Sequence, residues 1–221
     1  MDIDRSALVD DYLAGLFVGD DPALDHALAA SVGAGLPPIA VSAVQGKFLY
    51  ILAQSCGARR VLEVGTLGGY SAIWFGRAVG EQGTVLSLEI DPAHAAVARK
   101  NVASAGLASI VTIEVGPALQ TLDRFIAAHV EPFDMIFIDA DKRNNPNYLT
   151  RGLELSHPGT IVVVDNVVRA GEVVDASGRD PDVAGTRRCL EMMATDPRLQ
   201  ATALQTVGAK GYDGFALARV R

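Results

Sequence analysis

Several common kinds of chemistry find little to work with in this chain. Of 221 residues only two are cysteine, Cys56 and Cys189. They stand in unrelated contexts without zinc-ligand or redox spacing, which predicts two buried, reduced thiols. The four histidines, His26, His94, His129 and His157, fall outside any motif and read as ordinary surface or loop residues. Basic charge is not in excess: the formal net charge is -7, with acids and bases interspersed. A nucleic-acid partner, which wants a basic face, is therefore not expected. No apolar run reaches membrane-spanning length, and no low-complexity tract interrupts the chain. The start, Met1-Asp2-Ile3-Asp4, is acidic and lacks the basic and apolar blocks of a signal peptide. These absences predict a cytoplasmic protein with no membrane partner. The length suits one domain, 1–221, with a full hydrophobic core.

What is present is an alternation of elements. Residues 1–57 read as a helical segment integral to that domain. Ser6 to Phe17 and Pro22 to Val32 have helical spacing, Gly33 to Pro38 is a break, and Ser42 to Ser55 is a helix stopped by Gly57. Short apolar strands follow at Arg60–Val64, Thr84–Leu88, Ile110–Val115, Phe133–Ile138 and Thr160–Val164. Helices separate them: Gly69–Val79, one opened by Asp91-Pro92, Ala118–His129 and Tyr148–Ser156, with Trp74 as helix packing. Strands apolar throughout and joined by helices predict a mostly parallel, doubly wound α/β sheet of Rossmann-like type. Ala201–Val207 and Gly214–Val220 have no helix between them and read as an antiparallel hairpin at the sheet edge. Val167 to Val183 reads as an irregular loop.

In such a sheet, ligands bind beyond the carboxyl ends of the strands. The first strand runs into Glu63-Val64-Gly65-Thr66-Leu67-Gly68-Gly69-Tyr70-Ser71. This loop is neither the dinucleotide fingerprint nor a phosphate loop with its lysine. Glu63 would repel a pyrophosphate but accept a cationic ligand. Glu89, ending the second strand, is placed to bind both hydroxyls of a ribose. Together they suggest an adenosyl cofactor without phosphates, S-adenosylmethionine. Glycines that merely serve a tight turn, with Glu89 merely starting a loop, are the plainer alternative. Asp91 is explained by capping alone.

The fourth strand ends at Asp139-Ala140-Asp141-Lys142 and the fifth at Asp165-Asn166. If the strands are close, Asp139, Asp165 and Asn166 converge into a partial shell made only of oxygen. Such a shell suits Mg²⁺, does not exclude Mn²⁺ or Ca²⁺, and lacks the nitrogen or sulfur ligands zinc favours. A dication would also relieve the repulsion between two carboxylates. Either motif alone is more readily a turn or a cap; both at consecutive strand ends, beside Lys142, reverse that balance.

Phe137-Ile138-Asp139-Ala140-Asp141-Lys142 and Val164-Asp165-Asn166-Val167-Val168-Arg169-Ala170-Gly171 resemble signature segments of the caffeoyl-CoA and catechol O-methyltransferase family. Glu63-Val64-Gly65-Thr66, Gly69-Tyr70-Ser71, Leu88-Glu89-Ile90-Asp91 and the tail Val207 to Phe215 resemble it too, and the likeness runs from about Leu36 to the C-terminus. The resemblance implies a metal-dependent enzyme that methylates one hydroxyl of a catechol-like small molecule, a phenolic acceptor. It implies Asp139, Asp165 and Asn166 as metal ligands, with Lys142 as the base. It implies Val41, Glu63, Gly65, Thr66, Ser71, Glu89, Ala118 and Asp139 around the cofactor, and a homodimer. Pro117 and Asn145 depart from the family's usual residues, which bears on the adenine wall and the acceptor pocket. Other readings are a dinucleotide-dependent dehydrogenase, a non-catalytic adenosyl-binding module, a nucleic-acid methylase, and a surface Lys142 paired with Asp141.

Overall fold

A computed structural model describes residues 3–221; Met1 and Asp2, half of the acidic start, lie outside the described residues. Three helices come first: α1 (Ile3–Phe17), α2 (Pro22–Gly33) and α3 (Ala43–Ser55). The alternating part follows as β1 (Arg60–Val64), α4 (Tyr70–Val79), β2 (Thr84–Glu89), α5 (Pro92–Ser104), β3 (Val111–Val115), α6 (Ala118–Ala127), β4 (Phe133–Ile138), α7 (Asn145–Glu154) and β5 (Ser156–Asp165). The chain ends with α8 (Pro181–Thr195), β6 (Leu199–Gly208) and β7 (Gly211–Val220).

Local chemistry sets several of these boundaries. Asp21 accepts hydrogen bonds from the Ala23 and Leu24 amides with Pro22 in the first turn, and Asp91 accepts from Ala93 with Pro92 following. Asp180 and Pro181 start α8 in the same way. That helix falls where the sequence pattern predicts a loop to Val183 and nothing beyond. Its buried residues are Val183, Cys189 and Met193, interleaved with Gly185 and Thr186. Several boundaries also move: α1 begins at Ile3 rather than Ser6, α7 at Asn145 rather than Tyr148, β5 at Ser156 rather than Thr160, β6 at Leu199 rather than Ala201 and β7 at Gly211 rather than Gly214. The register between β4 and β5 is irregular near Phe133 and Asp134, which accounts for the polar start of β5. Cys189 is buried as expected but Cys56 is exposed, because it caps the end of α3; both are free thiols.

The seven strands form one sheet in the order β3-β2-β1-β4-β5-β7-β6. Strands β1 to β5 are parallel; β7 runs antiparallel to both β5 and β6. This is the doubly wound arrangement with a C-terminal antiparallel hairpin that the strand pattern predicts. Alternate residues of each strand serve opposite faces. Val61, Val85, Met135, Phe137, Ile161 and Val163 pack beneath α2 to α5. Leu62, Val64, Ile136, Ile138, Val162 and Val164 pack beneath α6, α7 and α8. Continuing the alternation, Glu63, Ser87, Glu89, Asp139 and Asp165 all fall on the first of these faces. Both faces are covered by helices, which is why the parallel strands are apolar throughout. Among the described residues, no helix is long and apolar enough to cross a membrane.

Candidate active site

Strand register builds the site. Val64 is level with Leu88 on β2 and with Ile138 on β4, and Ile138 is level with Val164 on β5. The residues immediately beyond are Gly65, Glu89, Asp139 and Asp165, so all four line one rim of the sheet. Neighbouring strands are about 4.8 Å apart, which makes Asp139 and Asp165 adjacent. Gly65 adopts φ +104, and a Cβ there would lie 2.2 Å from the Asp139 carbonyl oxygen. Only glycine allows β1 to turn this close to β4. Gly69, at φ +81, performs the left-handed turn into α4.

On the β1–β2 side the carboxylates are held by the chain itself. Glu63 is fully buried and receives hydrogen bonds from the Ser71 and Ser87 hydroxyls. Burial pushes its carboxyl up to about 8; the two serines oppose this, and the charges of Asp139 and Glu89 reinforce it. Ser87 also meets the buried Thr66 hydroxyl. Glu89 accepts the Leu67 amide at 2.8 Å and the Asp91 amide at 2.9 Å. Asn101 donates from α5 to the Gly68 carbonyl at 2.8 Å, fixing the glycine loop from behind. Val41 is buried just before α3, and Ala118, half-buried, opens α6 after β3. Pro117 stands at the cap position of α6 and makes no side-chain cap.

On the β4–β5 side polar capacity remains. Lys142 is 7% exposed, and its ammonium donates to Asp139 Oδ1 at 2.6 Å. It is therefore not a surface lysine paired with Asp141. That carboxylate instead accepts from the Tyr148 hydroxyl at 2.6 Å and the Asn144 amide at 2.7 Å. Asp165 is 4% exposed; Oδ1 accepts the Asn166 amide at 2.9 Å and Oδ2 accepts Gln45 Nε2 at 2.8 Å. Burial and the neighbouring Asp139 charge raise the Asp165 carboxyl, against the opposing effects of Lys142, Asn166 and Gln45. Asn166 sits in the left-handed region at φ +56, one of the few residue types that do so readily. Asn145 is fully buried, and among the described residues neither of its amide atoms has a partner.

The oxygen donors fit a hard divalent cation. Two carboxylates adjoin with a mutual repulsion that one lysine offsets only in part, and neither imidazole nor thiolate is among them. Among the described residues, no cluster of three or more His, Cys, Asp and Glu side chains stands ready for a metal; the set here is two carboxylates and an amide.

Sequence reasoning missed four contributors. Ser87 is a polar residue inside an apolar strand, which is a readable signal. Gln45 follows Ser42 by three residues and imitates a capping box, which hides its distant partner. Asp213, in β7, accepts the amides of Val168, Arg169 and Gly214 on one oxygen; nothing in the sequence ties it to that loop. His94 is not isolated, lying 3.8 Å from Glu89 and 3.9 Å from Asp91. A cavity of about 320 Å³ lies elsewhere, between α1, α2 and the start of α4, and is lined by Leu24, Leu28 and Tyr70 among others. None of the residues above lines it, so the site is defined by its chemistry rather than by concavity.

A doubly wound sheet with an acid-bearing, phosphate-free cofactor rim and paired acidic strand ends is the architecture of class I S-adenosylmethionine-dependent methyltransferases. The chain belongs to the O-methyltransferase family, whose profile matches residues 18–220, and within it to the caffeoyl-CoA and catechol type. It is 55% identical over 213 residues to the catechol O-methyltransferase of Mycobacterium tuberculosis, covering 96% of this chain and 95% of that one. The O-methyltransferase of Bacillus cereus, solved in complex with SAH, superposes with a TM-score of 0.97 at 48% identity, covering 99% of this chain and 100% of that one. TomG of Streptomyces achromogenes, an O-methyltransferase solved with SAM, gives a TM-score of 0.96 at 46% identity, covering 100% and 99%. The protein is accordingly an S-adenosylmethionine-dependent O-methyltransferase.

Proposed function

We propose that this enzyme methylates one hydroxyl of a vicinal dihydroxy aromatic molecule with the help of a divalent cation, Mg²⁺ in the cell, and that 1–221 works as one catalytic domain. The observation that carries the proposal is the level ending of β4 and β5, which sets Asp139 beside Asp165 with the Lys142 amine bonded to the first. The catechol name of the mycobacterial relative points the same way.

S-adenosylmethionine supplies an activated methyl group, and methyl transfer asks the protein mainly for orientation. Val41, Glu63, Gly65, Thr66, Ser71, Glu89, Ala118 and Asp139 would line the cofactor's place, with Val41 at its methionine part and Ala118 on its adenine side. Asp139, Asp165 and Asn166 would hold the cation, which supplies positive charge to bind two neighbouring hydroxyls and ease the loss of one proton. Lys142 is the base. Its side chain is buried and aimed by Asp139; with Asp139 turned to the cation, Lys142 would enter the step as the neutral amine, take the proton of the attacking hydroxyl and leave as the ammonium. Burial of Lys142 and Asp165 keeps water from competing with the acceptor.

The exposed apolar residues Leu8, Tyr12 and Leu16 of α1, with Leu204 and Val207 of the neighbouring edge strand β6, support a homodimer. The test of function is methyl transfer from labelled S-adenosylmethionine to a panel of catechols and monophenols, with and without chelator. Transfer to vicinal diols only, abolished by chelator and restored by Mg²⁺, is expected; transfer indifferent to chelator would remove the cation from the proposal.

A further inference from the structure

We infer that Gln45 is a positioning residue for Asp165, holding the ligand carboxylate in place from the first turn of α3; the inference rests on the cation-dependent reading above. Its Nε2 donates to Asp165 Oδ2 at 2.8 Å across 120 residues of sequence. The Asn166 amide meanwhile holds Oδ1 at 2.9 Å. With a donor on each oxygen, the plane of a nearly buried carboxylate is fixed, yet each oxygen keeps lone-pair capacity for a cation.

Gln45 had a local alternative. Ser42 caps α3 by accepting the Gln45 amide at 3.2 Å, and the reciprocal half of a capping box would send the Gln45 side chain back to the Ser42 amide. Among the described residues, the side chain's one hydrogen bond is instead to Asp165.

The element that carries Gln45 is anchored to the strands it serves. Gly46 packs so tightly on the Trp74 indole that a Cβ would sit 2.2 Å from its nitrogen. Phe48 packs on Phe215 with ring centroids 5.0 Å apart, and Phe215 is the β7 residue level with Asp165. The donor is also uncharged. An amide orients Asp165 without adding a positive charge that would compete with the cation, whereas Lys142 already supplies one at Asp139. Groups that orient metal ligands in this way typically alter metal affinity by about 10- to 100-fold when removed.

The test uses the full chain loaded with SAH. Gln45→Met keeps the length of the side chain and removes the donor; Gln45→Ala serves if the first variant fails to fold. Mn²⁺ affinity is read by electron paramagnetic resonance, beside SAH affinity and melting temperature. The expected result is Mn²⁺ binding weakened at least about tenfold, with SAH affinity and melting temperature unchanged. The Mg²⁺ concentration for half-maximal rate should rise by the same factor while KM for S-adenosylmethionine does not. Mn²⁺ affinity within about twofold of the unaltered protein in a folded variant would overturn the role of Gln45 alone. Failure of the unaltered protein to bind Mn²⁺ would overturn the cation reading and this inference with it.

Discussion

The two halves of the strand rim carry similar acids in different states of completion. At β1 and β2 each carboxylate is closed on both oxygens by its own neighbourhood: Glu63 by Ser71 and Ser87, Glu89 by the Leu67 and Asp91 amides. At β4 and β5, Asp139 and Asp165 stand side by side: Asp165 also has a donor on each oxygen, from the Asn166 amide and Gln45, but Asp139 accepts only the Lys142 ammonium, on Oδ1. An unsaturated acidic pair in a buried setting calls for a cation and suits proton movement beside it. On the proposed reading, the first half holds the cofactor and the second activates the acceptor, with Asp139 serving both.

The largest expected effect lies in the unsaturated half. Lys142→Met should lower kcat by about 100-fold or more while S-adenosylmethionine affinity, measured calorimetrically, stays the same. Near-normal turnover would reduce Lys142 to an ion-pair partner of Asp139. The loop behind this half gives the next effect. Asp213→Ala leaves the Val168, Arg169 and Gly214 amides without their acceptor, beside Arg169 and Ala170 in the left-handed region. A cost of about 1–3 kcal/mol is expected in urea unfolding, together with weaker Mn²⁺ binding through a looser Asn166.

The saturated half answers through pH. Glu63 has its folded carboxyl at about 8, above its ordinary 4.5. The folded state therefore holds the proton more tightly, so this stabilising contribution is complete below pH 4.5 and is lost as pH rises through 8. Melting temperatures of ligand-free protein should fall across that window, and Glu63→Gln should flatten the fall. The smallest effect is expected at the start of α3, where Ser42→Ala removes a cap worth about 1 kcal/mol in thermal unfolding.

The same contrast bears on what the sequence discloses. Apolar strands ending in Glu63, Glu89, Asp139 and Asp165 announce the sheet and its rim, because strand period and turn chemistry are local. The helix α8 escapes, standing where a loop to Val183 is expected; its buried face interleaves Gly185 and Thr186 with Val183, Cys189 and Met193. Partners that join distant segments escape for a different reason. Gln45 to Asp165 and Asp213 to Val168 exist only once the sheet is assembled, and each residue has an ordinary local explanation beforehand. Lys142 shows the reverse: the Asp-Ala-Asp-Lys spelling leaves Asp141 and Asp139 equal as partners, and burial decides for Asp139.

The most direct test of the cation at the acceptor half is a crystal of the enzyme with SAH and Mn²⁺, with anomalous differences measured at the manganese edge. The account predicts one strong peak bounded by side-chain oxygens of Asp139, Asp165 and Asn166, with Lys142 turned toward the acceptor's place. A peak elsewhere, or none at saturating Mn²⁺, would contradict it.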